Sequence, residues 1–155
     1  MKKIRPDHGH FTGNYSLLRP RYVKYLKLWD KAIYPFVNDP YNPLTFHRSD
    51  GILIRPLSIM DTDMGTVPRS VRTLISKDRY LDSYLLHDSG YMAGGWSVSS
   101  DDGKTWGHIH ASRKTVDLQL RDCIRAQGGS LATRNAIYQA VRRGGGGIWR
   151  RRHGA

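Results

Sequence analysis

In the stretch LLHDSGY (85–91) a histidine and an aspartate stand side by side behind apolar residues, and a tyrosine follows one helical turn later. If the stretch is helical, Tyr91 lies four positions from His87 and three from Asp88, and borders both. His87 and Asp88 themselves point about 100° apart and can serve two different jobs. A second stretch, SRKTVD (112–117), supplies Asp117, with Arg113 one turn before it. Two helices packed antiparallel would let Asp117 meet His87. An aspartate on one imidazole nitrogen sets the tautomer and leaves the other nitrogen to accept a proton, as a general base must. Asp88, with Asp61 or Asp63 from the preceding loop and backbone carbonyls, could build an all-oxygen site for a hard cation such as calcium. The same residues also make sense without chemistry, as a buried polar network that fixes how two helices meet. Asp63 reads equally as a turn cap.

The elements that must position these groups follow from the pattern of the chain. DRYLDSYLLHDSGYMAGG (78–95) has Asp78 near its start and Gly94-Gly95 as a stop, which predicts a helix over 78–94. SRKTVDLQLRDCIRAQGG predicts a second over 112–127, capped by Ser112, with Cys123 as a small buried hydrophobe. SLATRNAIYQAVRRGGGG repeats that grammar with Ser130 as cap and predicts a third over 130–143. DTDMGTVPRSV is a loop that turns into a helix over about 70–76. LTFHRSDGILIRPL predicts a β-hairpin over 44–57, with Gly51 where positive φ is wanted. RYVKYLKLWDKAIYPF sets Tyr22, Tyr25, Leu26 and Trp29 at helical spacing, which suggests a short amphipathic helix ended by Pro35. Residues 1–20 read as an extended arm, 96–111 as a polar loop, and the glycines at 144–147 as a flexible hinge before the tail IWRRRHGA. The expected fold is mainly α (α+β): three to four helices with an N-terminal β-hairpin, an extended basic N-terminal arm and a flexible C-terminal tail. The divisions are an arm and short helix at 1–43, one domain at 44–143, and hinge plus basic tail at 144–155.

Composition bounds the partners. The 155 residues suit one ordinary domain. No run approaches the roughly 18 apolar residues of a membrane span, and MKKIRPDHGH lacks the apolar core of a signal peptide, so the expectation is a soluble protein. One cysteine excludes an internal disulfide and any cysteine-rich metal centre. The net charge of +12 is uneven: residues 1–31 carry eight Lys/Arg against two Asp, 32–112 seven against nine, and 113–155 ten against two. Basic ends call for an acidic partner: nucleic acid, an anionic membrane surface or an acidic face of another protein. Arg150, Arg151 and Arg152 beside Trp149 could grip phosphates with one stacking aromatic, or tie the chain to protein neighbours. The pairs His8/His10 and His108/His110 have no further metal ligands nearby in sequence.

Four ordered blocks carry a resemblance: TDMGTVPR (62–69), LLHDSGY (85–91), RKTVD (113–117) and IYQAVR (137–142). Together they resemble the mostly phage-encoded domain-of-unknown-function family thirteen fifty-three, over about residues 44–143. The departures are Gly65 and Thr66 where that family favours Ala-Ser, and a longer loop before RKTVD. The blocks are more distantly similar to the catalytic helices of secreted phospholipase A-two. That similarity implies His87 as the base that activates water, Asp117 orienting it and Tyr91 bracing the pair. It implies calcium on Asp88, with Asp63 as a loop ligand. This chain lacks that family's disulfides, and the similarity does not establish a lipid substrate. The resemblances together imply a phage virion protein of the tail or its tip, made in the host cytoplasm and surrounded by other virion proteins. Its His/Asp site would be a hydrolase of a cell-envelope ester or amide. The alternatives are a purely structural virion component and a basic nucleic-acid-binding accessory protein.

Overall fold

The computed structural model describes residues 8–25, 29–62 and 79–154. Nine strands among these residues form two antiparallel sheets, and helices pack against them, so the fold is α+β rather than mainly helical. The five-stranded sheet runs in the order β1 (His10–Thr12), β5 (Thr45–His47), β6 (Leu53–Arg55), β8 (Gly95–Ser99), β9 (Gly107–His110). The second sheet is organised by the long strand β4 (Trp29–Asn38), which pairs with β2 (Tyr15–Leu17), β3 (Arg21–Tyr25) and β7 (Ile59–Thr62). The helices are α1 (Leu81–Ala93), α2 (Arg113–Ala126), α3 (Leu131–Gly144) and α4 (Gly146–His153).

Four expectations fail in whole or in part. The helix expected over 21–36 is the antiparallel pair β3–β4, in register from Arg21↔Ile33 to Tyr25↔Trp29. The aromatics at helical spacing were coincident with two runs, RYVKY and AIYPFV, rich in β-branched and aromatic residues that fit a pleated surface. Pro35 does not end a helix; it sits within β4 and interrupts one ladder. Leu18 N–H donates to the Pro35 carbonyl at 2.9 Å, but proline has no N–H to return. There β2 stops at Leu17, and β3 starts only at Arg21. Part of the expected arm is thus sheet, as β1 and β2. The polar loop expected over 96–111 is the hairpin β8–β9, with Trp96 paired to Ile109 and Ser97 to His108.

The fourth failure is the tail. Residues 146–153 form α4, whose Trp149 packs edge-on to Tyr91, ring centroids 5.2 Å apart. Of the glycines before it, Gly145 makes a close approach: a Cβ there would stand 2.3 Å from the Tyr91 hydroxyl. What composition presents as a hinge is, at that position, room for a tyrosine. The hairpin at β5–β6 is as expected, with Gly51 at φ +87°. So are α1, α2 and α3, with Ser112 and Ser130 side chains accepting from the Thr115 and Thr133 N–H groups. The expected helix over 70–76 lies outside the described residues.

The helix α1 is the centre of the molecule, with eight of its 13 residues buried. Leu86 and Tyr91 join Phe46, Ile54, Trp96, Val116 and Cys123 between the five-stranded sheet and α2. Leu85 packs with Phe36 and Met60 of the second sheet and with Leu44 just before β5, and Tyr84 with Leu120, Ile124 and Ile137 of α2 and α3. Burying a leucine in full stabilises by about 1.5–3 kcal/mol, so α1 is held on three sides at once. Polar ties add direction: Trp96 Nε1 donates to the Leu86 carbonyl at 2.9 Å, and Tyr15 donates to Asp82 at 2.7 Å. Gly90 allows the closest approach, since a Cβ there would meet Val116 Cγ1 at 2.7 Å and the Trp96 ring at 3.0 Å. That approach brings α2, and Asp117 with it, onto α1.

Candidate functional site

His87 and Tyr91 project from successive turns of α1 towards Asp117 of α2. His87 Nε2 lies 2.8 Å from Asp117 Oδ1, and Tyr91 donates its hydroxyl hydrogen to the same oxygen at 2.8 Å. A carboxylate only accepts, so in the neutral imidazole the hydrogen sits on Nε2 and the lone pair on Nδ1. No partner to Nδ1 occurs among the described residues. Asp117 is fully buried, and His87 is 8% exposed.

The second carboxylate oxygen is held from the third helix. Arg142, in the last turn of α3, donates to Asp117 Oδ2 at 2.8 Å, and Arg113, one turn before Asp117, stands 3.7 Å from the same atom. Arg113 also donates to the carbonyls of Val141 and Arg142, at 3.4 and 3.1 Å. It thereby caps the open C-terminal end of α3, where a cation suits the helix dipole. Burial pushes the Asp117 carboxyl up, but hydrogen bonds from His87 and Arg142 outweigh it and hold the group below its ordinary value. Burial, then the bond to Asp117, pushes the Tyr91 hydroxyl well up. Tyr91 therefore serves as a neutral donor. On its far side, His153 of α4 contacts the Tyr91 carbonyl through Nε2 at 2.5 Å.

The residues singled out from sequence distribute as follows. His87, Tyr91 and Asp117 come together. Asp88 points away, half-buried, towards β7, where its Oδ2 accepts from Thr62 Oγ1 at 2.5 Å. Asp61 is exposed and paired with Arg21 at 2.9 Å, and Asp63 lies outside the described residues. Among the described residues no group of three or more His, Cys, Asp or Glu is arranged to hold a metal ion. Trp149 faces inward against Tyr91 and His153, while Arg150, Arg151 and Arg152 are exposed on α4. Sequence reasoning missed Arg142 as the counter-ion of Asp117. The signal was present, since Arg142 closes the IYQAVR block. A groove of about 320 Å³, lined among others by Trp96, Ile109, Ser112, Thr115 and Gln119, does not open on His87. Thr115 and Gln119 share one face of α2 with its cap Ser112, and Asp117 lies on the opposite one.

A histidine on one buried helix, hydrogen-bonded to an aspartate on the next, is an arrangement whose second imidazole nitrogen can accept a proton. Residues 42–141 match the model of the family described as "Protein of unknown function (DUF1353)", and the chain belongs to that family. Comparison with curated proteins and with solved structures returned no match.

Proposed function

We propose that this chain is a phage virion-associated protein, of the tail or its tip, whose His87–Asp117 pair is a hydrolytic centre for an ester or amide of the cell envelope. The observation that carries the chemistry is the shared oxygen: Asp117 Oδ1 takes His87 Nε2 and the Tyr91 hydroxyl, both at 2.8 Å. That leaves the Nδ1 lone pair as the base. In the reaction His87 Nδ1 takes a proton from water as the oxygen attacks the carbonyl carbon. Asp117 holds the imidazolium so formed, and the proton then passes from Nδ1 to the leaving oxygen or nitrogen. A positioned base of this kind supplies about 10²–10⁴-fold in rate. The virion setting rests on the resemblance of the four sequence blocks to a mostly phage-encoded family; the matching family model itself is described only as of unknown function.

Asp88 is the residue that would hold calcium, together with the Thr62 hydroxyl beside it. Both are hard oxygen donors, as calcium requires, and a single carboxylate makes for weak affinity. A calcium titration of the wild type beside Asp88→Asn, read by thermal shift, tests this. Stabilisation of the wild type alone is expected, and equal curves for the two would remove calcium from the reading.

Asp117 is also what a structural role would need, because its two oxygens draw donors from α1, α2 and α3. The second reading is therefore a virion component in which this network is polar core. Hydrolysis of a nitrophenyl ester and of anionic phospholipid vesicles by the wild type and by His87→Gln separates the two. The first reading expects activity that falls at least about 10²-fold in the variant with its fold intact by circular dichroism. Absence of wild-type activity, or activity indifferent to His87, leaves the structural reading.

A further inference from the structure

The hairpin β8–β9 changes the meaning of His108 and His110. In a strand, residues two apart face the same side, and the two imidazoles lie side by side with ring centroids 4.8 Å apart at 76°. Their cross-strand neighbours are Ser97 and Gly95, too small to cover them. All four residues of β9 are exposed, and the strand pairs only with β8 among the described residues. Two imidazoles sharing one tetrahedral zinc ion have centroids roughly 5 Å apart, given Zn–N bonds of about 2.0–2.1 Å. The pair is thus spaced as two ligands of a metal that prefers imidazole nitrogen.

Two ligands leave a tetrahedral ion half filled, and the described residues contribute no third. The edge of β9 that no described strand pairs with can supply the rest. If a second copy pairs antiparallel along this edge about a two-fold axis at Ile109, then His108 of one copy stands opposite His110 of the other. Directly opposed side chains in such a pair have Cβ atoms about 4.5–5.5 Å apart. Four imidazoles then converge on one face. On the other face the two Ile109 side chains, each 54% exposed in the single chain, meet across the axis. The contact is isologous and closes at two copies. Without metal it does not hold, because a four-residue strand is short and a net charge of +12 on each copy opposes association.

We propose that His108 and His110 are half of a zinc-type site that is completed by the same pair from a second copy joined along β9. Light scattering with size exclusion, on the full chain with and without zinc sulfate at micromolar concentration, tests it. The expected result is a mass that doubles with one zinc per two chains and returns to monomer with chelator. The variant His108→Ala with His110→Ala loses both zinc and dimer. Ile109→Lys keeps both histidines but sets like charges across the axis, and loses the dimer. Zinc bound at one per chain without a change of mass overturns the proposal. So does no binding at all, or a zinc-dependent dimer that survives removal of both histidines.

Discussion

Asp117→Asn is the sharpest test of how the three helices are held. The substitution keeps the shape of the side chain and turns one acceptor oxygen into an NH₂ donor. If the NH₂ takes the place of Oδ1, it faces the His87 and Tyr91 donors; if it takes the place of Oδ2, it faces Arg142. Either way the carboxylate charge that pairs with Arg142 is lost at a site with no exposure. Removing one partner of a buried ion pair costs about 3–5 kcal/mol. Arg142 and Arg113 keep 28% and 22% side-chain exposure and can turn towards water, so the expected loss lies at the lower end, about 3 kcal/mol. In a chain of this size each kcal/mol moves Tm by roughly 2–4 °C, so a drop of about 6–12 °C is expected. Urea denaturation and thermal melting at neutral pH measure it. Arg48→Ala serves as the control, because its pair with Asp50 is exposed and worth at most about 1 kcal/mol. If Asp117→Asn costs no more than that control, Asp117 is not the group that joins the helices and the reasoning fails.

Gly90→Ala places a methyl 2.7 Å from Val116 Cγ1 and is expected to destabilise by roughly 1–3 kcal/mol. A gain of stability in urea, as helix propensity alone would give, would mean that α1 and α2 are not in close contact there. Asp117 titrates below its ordinary value in the fold, so its contribution is complete above the unfolded carboxylate value of about 4 and is lost as pH falls through the lower folded value. Urea midpoints of the wild type should therefore fall as pH drops below the unfolded carboxylate value of about 4. The fall should be shallower in Asp117→Asn, and equal slopes would contradict the assignment.

The helical half of the fold was legible because its signals are local. Ser112 and Ser130 cap from side chain to backbone within three residues, and α1 ends at a left-handed Gly94. From those helices Asp117 could be paired with His87 before any geometry was known. The sheets were less legible because their pairings are distant. β6 pairs Leu53 with Ser99, and β1 pairs His10 with His47, so no short window contains both partners. RYVKY carries the same aromatics whether they stack on a helix or alternate on a strand, and only its pairing with residues 29–33 decides. Arg142 escaped for a related reason: the carboxylate it serves belongs to another helix. The glycines at 144–147 misled because composition registers freedom of the chain and cannot register a tyrosine waiting for space.

The docking of α4 on Tyr91 also sets an order of events while the chain is being made. His153 and Trp149 reach back across about sixty residues to α1, so they leave the ribosome long after the sheets and the first helix have emerged. Until then the nascent domain has its central helix in place with one aromatic face uncovered, the kind of surface that invites misassembly or a chaperone. The helix α4 thus serves as a cover, closing over an aromatic face of α1 that earlier elements cannot protect.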